Sequence, residues 1–205
     1  MMRYFLLAFG CVVLSQAVVG SQGDFCNLEC PEFDSVRSTS DYEVRRYSDT
    51  KWVSTKVSSM NYGIASMRGF WKLFAYIGGE NEAGVKIEMT QPVLIKIPEE
   101  TSWWLWKEYT VSFMLPREHW DSPPTPSNSD VYIDHMPEST AYVKSYGGWA
   151  NGWNTNSNRQ EVEQKLTEAG ETFEDSFYYS AAYNAPFEMT NRHNEVWVMS
   201  SNGRK

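Results

Sequence analysis

Between Asn61 and Gly78, apolar residues recur at steps of three and four. Ile64, Met67, Trp71 and Phe74 form one row, and Phe70, Leu73 and Ile77 form a second beside it. This spacing predicts a helix that docks on a sheet through one of its faces. A docking face needs an apolar stripe of roughly 100°. Two adjoining rows therefore leave a surplus, which is either covered from a second side or kept for something other than the helix's own sheet. Gly78-Gly79 supplies a residue able to take positive φ where the helix ends. Alternation then predicts a strand from Val85 to Ile97, interrupted at Pro92, which cannot donate to a ladder.

Period-two patterning marks further strands. Tyr42–Tyr47 and Lys51–Val57 alternate on either side of Ser48-Asp49-Thr50 and read as a hairpin. Trp103–Leu115 reads as a strand with Tyr109, Val111, Phe113 and Leu115 on one face. An aperiodic Pro/Ser loop runs from Asp121 to Asp130, and beyond it the outline repeats. Val131–Asp134 and Ala141–Tyr146 form a second strand pair, Ser157–Ala169 a second helix, and Phe177–Ala182 and Glu195–Met199 the closing strands. Ser157-x-x-Gln160 has the form of a capping box, and Gly170 that of a C-terminal cap. A doubled strand-strand-helix-strand-strand unit predicts an α+β fold, a curved sheet or open barrel with two helices against it. The second helix carries a single apolar row of Val162, Leu166 and Ala169, so the surplus belongs to the first helix alone.

Composition adds compartment and partner class. Residues 1–20 have the form of a secretory signal: Arg3 at the start, an apolar run from Tyr4 to Leu14, and small residues near Ala17 and Gly20. That run is too short to cross a bilayer. Cleavage after Gly20 leaves 185 of the 205 residues, expected as one domain, and removes one arginine and no acid, taking the net charge from −8 to −9. Such a surface repels phosphate backbones, which argues against nucleic acid as a partner. Cys11 leaves with the signal, so Cys26 and Cys30 remain and are expected to form a local disulfide after export. A metal site would need two further ligands, and none is near. No Asn-x-Ser/Thr sequon is present.

Several motifs occur in an order that resembles the SOUL/heme-binding protein family. They are Tyr42-Glu43-Val44-Arg45-Arg46-Tyr47, Lys51-Trp52-Val53, Gly69-Phe70, Tyr76-Ile77-Gly78-Gly79-Glu80-Asn81, Met89-Thr90-Gln91-Pro92-Val93 and Asn191-Arg192-His193-Asn194-Glu195-Val196-Trp197. The resemblance runs from about Cys30 to Met199. It implies a distorted antiparallel β-barrel of two such repeats with two flanking helices. It also implies non-catalytic, reversible binding of heme or another tetrapyrrole in a shallow apolar groove beside the first helix. A porphyrin is an apolar plate with two carboxylates, so it requires an aliphatic and aromatic surface with a basic rim. Met67, Phe70, Trp71, Leu73 and Phe74 are the candidate surface, with Phe187 and Met189 beyond the second proline break, and Arg68 and Lys72 are the candidate rim. Arg46 stands where some members carry a histidine suggested as an iron ligand, which removes axial ligation there. Ala75 and Glu188 stand near positions where some relatives carry a lysine.

Among the histidines, His119 lies in a loop, while His135 and His193 are the weak candidates for iron. The absence of Cys-x-x-Cys-His excludes covalent heme. No Gly-x-Ser-x-Gly, His-Glu-x-x-His or Gly-rich phosphate loop is present, and Glu88 is expected on the solvent face between Ile87 and Met89. Two aromatic clusters, Trp103-Trp104-Leu105-Trp106 and Gly147–Trp153, suggest a rival class. In that reading the chain is an extracellular module that meets a protein, glycan or membrane surface through Trp149 and Trp153.

Overall fold

The computed structural model describes residues 25–99, 106–185 and 188–201. The expected signal segment, Trp103, Trp104, Leu105 and Phe187 lie outside those residues. In chain order the elements are β1 (Phe33–Ser38), β2 (Glu43–Tyr47), β3 (Thr50–Ser59), α1 (Tyr62–Ile77), β4 (Val93–Pro98) and β5 (Lys107–Met114). The second half follows with β6 (Val131–Met136), β7 (Ser139–Tyr146), α2 (Gly152–Glu168), β8 (Phe177–Ala182) and β9 (Asn194–Met199). All strand pairs are antiparallel, in one curled sheet of order β1-β2-β7-β9-β8-β4-β5-β3-β6. The doubled unit is therefore present as β2-β3-α1-β4-β5 and β6-β7-α2-β8-β9. Strand β1 is an addition whose six residues bury only Phe33, so no alternation announced it.

The expected hairpin does not form. β2 pairs with β1 and β7, whereas β3 pairs with β5 and β6. Likewise β6 pairs with β3, and β7 with β2 and β9, rather than with each other. Tyr47 faces Ser139 and Thr50 faces Met136, so the two short links lie side by side. β2-β3 and β6-β7 thus make one antiparallel ribbon, bent at Ser48-Asp49 and Pro137-Glu138, that ties both ends of the sheet together. Short links alone cannot distinguish this exchange from two hairpins, because both satisfy the same alternation.

Helix α1 starts as its sequence predicts. Asn61 caps it, its side chain accepting from the Ile64 N–H at 3.0 Å, and Gly79 takes φ 117° just past its end. α2 begins earlier than expected: Asn151 is its cap, and Ser157 lies inside the helix. Thr155, Arg159, Val162 and Leu166 form its buried side, and Ala169 is exposed. The predicted strand from Val85 survives only from Val93. Residues before Pro92 run without ladder partners, with Ile87 buried and Glu88 exposed as expected.

The structure decides which side of α1 seats the helix. Ala65, Gly69, Leu73, Tyr76 and Ile77 are buried, whereas Ile64, Met67, Trp71 and Phe74 face solvent. The sheet takes Leu73 and Ile77 of the second row, and the small Ala65 and Gly69 beside them let the helix come close. A Cβ on Gly69 would sit 2.3 Å from Cγ2 and 2.6 Å from Cβ of Val111 on β5. Beneath α1 and α2, Val53, Val57, Ile95, Val111, Phe113, Val196 and Val198 complete one core.

The opposite face of the sheet carries a second core, in which Trp52, Leu94, Met114, Ala181 and Trp197 pack with Cys30 and Phe33 of the N-terminal segment. Its centre is polar. Glu195 on β9, fully buried, accepts from Arg45 at 2.9 Å, the Tyr183 hydroxyl at 2.8 Å and the Trp197 indole at 2.7 Å, and lies 3.0 Å from His193 Nε2. Burial alone would push its carboxyl up. The His193 contact, the Arg45 charge and the Trp197 hydrogen bond outweigh that and hold it below the ordinary carboxylate range.

Two outcomes follow from these contacts. Gly69→Ala is expected to lower stability by about 1–3 kcal/mol in denaturant melts despite better helix propensity, and Val111→Ala is expected to recover part of the loss in the double variant. Glu195→Gln takes from Arg45 its fully buried charge partner, leaving only the partly exposed Glu43 at 2.7 Å, and is expected to cost about 3 kcal/mol. Because the folded-state pKa of Glu195 lies below its unfolded value, its contribution is complete above the unfolded pKa of about 4.3 and is lost as pH falls through the lower, folded one. Melts from pH 7 to 3 should therefore show an acid-side loss in the parent that is smaller in Glu195→Gln.

Candidate functional site

With Ala65, Gly69 and Leu73 against the sheet, each residue of α1 has a determined bearing, about 100° from its neighbour. Moving around the helix away from the sheet, Phe70 comes first, half-buried against Phe113 at 5.3 Å between ring centroids. Phe74, Met67 and Trp71 follow, at 44%, 57% and 60% exposure. Arg68 and Lys72 come last, on the far rim. Phe70 and Phe74 stack at 5.6 Å and 15°, while Trp71 stands edge-on to both at 5.5 and 5.7 Å. Three rings thus share one outward surface in fixed mutual geometry. Single exposed apolar residues are ordinary, whereas a contiguous cluster beside a cleft marks a surface that binds something.

A cleft borders this surface on each side. On the Phe70 side, a groove of about 340 Å³ is lined by Phe70, Phe74, Met89 and Val93 together with Asn27, Leu28, Gln91, Tyr183 and Glu188. The Tyr183 phenol stays neutral there, because burial first, and then the Glu195 charge, raise its pKa well above the ordinary value. On the far side, a shallower cleft of about 470 Å³ is lined by Lys56, Val57, Met67, Arg68, Trp71 and Lys72. The larger groove on the opposite face of the sheet, about 680 Å³, combines rings such as Trp52 and Tyr132 with paired charges, among them Lys56 and Glu108 at 2.8 Å. An apolar plate finds less there, since those polar groups would be covered.

The candidate residues divide accordingly. Phe70 and Phe74 line the first groove; Met67, Arg68, Trp71 and Lys72 line the second cleft. Leu73 is fully buried and belongs to the core instead, because its row seats the helix. Met189 is 73% exposed and borders neither cleft. Lys72 donates to Asp130 at 2.7 Å, whereas Arg68 has no ion-pair partner among the described residues. Residues outside the candidate list also contribute: Asn27, Leu28, Tyr183 and Glu188 come from segments without periodicity, and Met89 and Gln91 from the run before Pro92 where alternation predicts a strand that does not form. Glu188 places an acid at the groove, held by the Asn184 amide at 2.5 Å.

None of the histidines lines either cleft beside α1. His135 shares the parity of Val131 and Ile133, but it is exposed near the end of edge strand β6, 3.5 Å from Asp49. His119 lies beside Glu118, and His193 is engaged by Glu195 and stacks on Phe25 at 4.0 Å. Arg46 is exposed beside Asp34. Among the described residues no group of three or more His, Cys, Asp or Glu side chains could hold a metal ion, and no helix is long and apolar enough to cross a membrane. Trp149 is half-exposed with Arg192 over its ring at 4.3 Å, and Trp153 is 80% exposed.

Comparison with known proteins gives this surface a context. Heme-binding protein 2 of Homo sapiens is 38% identical over 161 residues, and that of Mus musculus 37%, each alignment covering 78% of both chains. Heme-binding protein 1 of Mus musculus is 29% identical, with 84% of its length covered. Among solved structures, the EcmrR C-terminal domain superposes with a TM-score of 0.54, covering 77% of this chain and 96% of that one. A hydrolase from Listeria innocua gives 0.53, covering 80% and 93%. At 10% identity these two share the fold and nothing more. The family model described as SOUL heme-binding protein matches residues 28–199, so the chain belongs to the SOUL heme-binding protein family.

Proposed function

We propose that this protein binds heme or a related tetrapyrrole reversibly and without a covalent bond, against the outward face of α1, and performs no catalysis on it. The observation that carries the reading is the cluster of Phe70, Phe74, Met67 and Trp71, held outward in one surface between two clefts. The plate lies on that surface with one edge in the groove beside Phe70 and Phe74. Burying the apolar surface of plate and rings supplies the driving force. Arg68, on the far rim, meets a propionate, and Lys72 joins it on leaving Asp130. The acid at Glu188 turns the carboxylates away from the opposite edge. With no histidine beside the clefts, affinity rests on the porphyrin more than on its metal. The heme-binding names of the relatives agree with this reading.

Export is part of the same proposal. It is supported by the charged, apolar and small-residue pattern of residues 1–20 and by the Cys26–Cys30 disulfide, which suits an oxidising compartment. A second reading has its own observation: Trp153, at 80% exposure on the first turn of α2, offers a protein or glycan partner a large ring away from α1.

Hemin titration followed by Soret absorbance and tryptophan quenching is expected to saturate, since Trp71 lies on the binding face. Phe70→Asp should abolish the saturable phase, and Arg68→Glu should weaken it by roughly fivefold or less, as befits an exposed pair, with the difference shrinking in high salt. A linear response that neither substitution changes would overturn the reading. Capture of a defined protein or glycan lost in Trp153→Ala would then favour the second. Expressed in a secreting cell, the chain is expected in the medium with an N-terminus just after Gly20, and retention of the uncleaved chain inside the cell would exclude export.

A further inference from the structure

The groove beside Phe70 and Phe74 has a wall that belongs to neither helix nor sheet. Asn27 and Leu28 line it, and both lie within the short loop closed by Cys26 and Cys30. Gln91, a groove residue itself, holds that loop at several points. Its Oε1 accepts from the backbone N–H groups of Asn27 and Leu28 at 3.0 and 3.1 Å, its own N–H donates to the Glu29 carbonyl at 2.8 Å, and its side-chain amide donates to the Tyr183 carbonyl. The Glu29 carboxylate accepts from the Arg117 N–H at 2.9 Å. Both ends of the loop are anchored, Cys30 in the core beneath the sheet and Phe25 on His193 and Tyr183. Leu28 nevertheless remains 44% exposed, a large apolar side chain held at the groove with surface still to bury.

We infer that this loop is a ligand-contacting wall of the tetrapyrrole groove and that its disulfide sets the affinity of the site. The inference rests on the groove reading above. Oxidised, the cross-link presents Leu28 in place, so the ligand does not have to order the loop. Reduced, the segment between Phe25 and Cys30 gains conformational freedom that binding must remove again. Cys30 is buried and Cys26 only half-buried, so an incoming dithiol reaches the Cys26 sulfur. Its thiolate attacks there, the S–S bond breaks and Cys30 leaves as thiolate. The second thiol of the reductant then displaces Cys26. Two electrons and two protons pass to the cysteines, and the dithiol becomes a disulfide. The site thus holds its ligand in an oxidising compartment and loosens its hold in a reducing one. Linkage requires the converse, that bound ligand protects the disulfide by the same factor.

Metal-free protoporphyrin IX is the probe, because thiols ligate and reduce heme iron. Its affinity is measured by fluorescence for the oxidised protein, the dithiol-reduced protein, the Cys26→Ser/Cys30→Ser variant and Leu28→Asp with the disulfide intact. The expected result is a loss of about tenfold on reduction and in the double variant, the scale set by closing a short loop. Leu28→Asp should bind weakly and lose its redox dependence, and the porphyrin should shift the dithiol–disulfide equilibrium of the parent toward the disulfide by the same factor. If the double variant misfolds, shown by near-UV circular dichroism, the Leu28→Asp and protection measurements still decide. Equal affinity before and after reduction, or no effect of Leu28→Asp, overturns the wall and leaves the groove standing. No saturable binding by the oxidised protein overturns both.

Discussion

The absence of a side chain at Gly69 sets the bearing of everything on α1. Only a glycine lets the helix backbone come this close to Val111, where an added Cβ would overlap the valine by more than an ångström of ordinary contact distance. With Ala65 one turn before it and Leu73 one turn after, that contact seats the helix on its narrow side. Rotation by even one position would drive a large side chain into β5. The larger side chains therefore point outward because the smaller ones fit inward, and this leaves Phe70, Phe74, Met67 and Trp71 as a surface.

Around that seat, the sheet is held by exchange. Each repeat lends its first strand to the other, so neither half can close its sheet alone. The buried Arg45–Glu195 pair joins β2, from the first half, to β9, at the end of the second. A lone buried carboxylate would be expensive, but here Arg45, Tyr183 and Trp197 all donate to it, and Arg45 also lies 4.2 Å over the Phe33 ring. The N-terminal segment completes this core and, a few residues earlier, forms the loop beside the groove. The same short stretch therefore stabilises one face of the sheet and shapes the site at the edge of the other.

Electrostatics agrees with a ligand that is mostly apolar. The chain carries a net charge of −8, which gives no general attraction for carboxylates. In the proposed reading any preference for propionates has to be local, and the bases that α1 offers are Arg68 and Lys72 on one rim. Lys72 is already partnered by Asp130, so the two bases are not equivalent despite their spacing. The EcmrR C-terminal domain and the Listeria innocua hydrolase share this fold at 10% identity, which shows the fold alone.

The sequence by itself determined the two helices and most of the strands, though not β1 and not the run before Pro92, that Asn61 begins α1 and Gly78-Gly79 ends it, that the chain is doubled, and that the first helix carries more apolar surface than docking uses. These properties rest on neighbours within a turn or a strand, where chain geometry makes spacing legible. Only the tertiary structure decided which row of α1 faces the sheet, which strands pair, where α2 starts, and that Asn27, Leu28 and Gln91 line the groove. The row facing the sheet follows from Gly69 meeting Val111, two residues far apart in the chain, and small residues leave no trace in a hydrophobic pattern. Strand exchange and hairpins satisfy the same alternation, so only the closing of the whole sheet separates them.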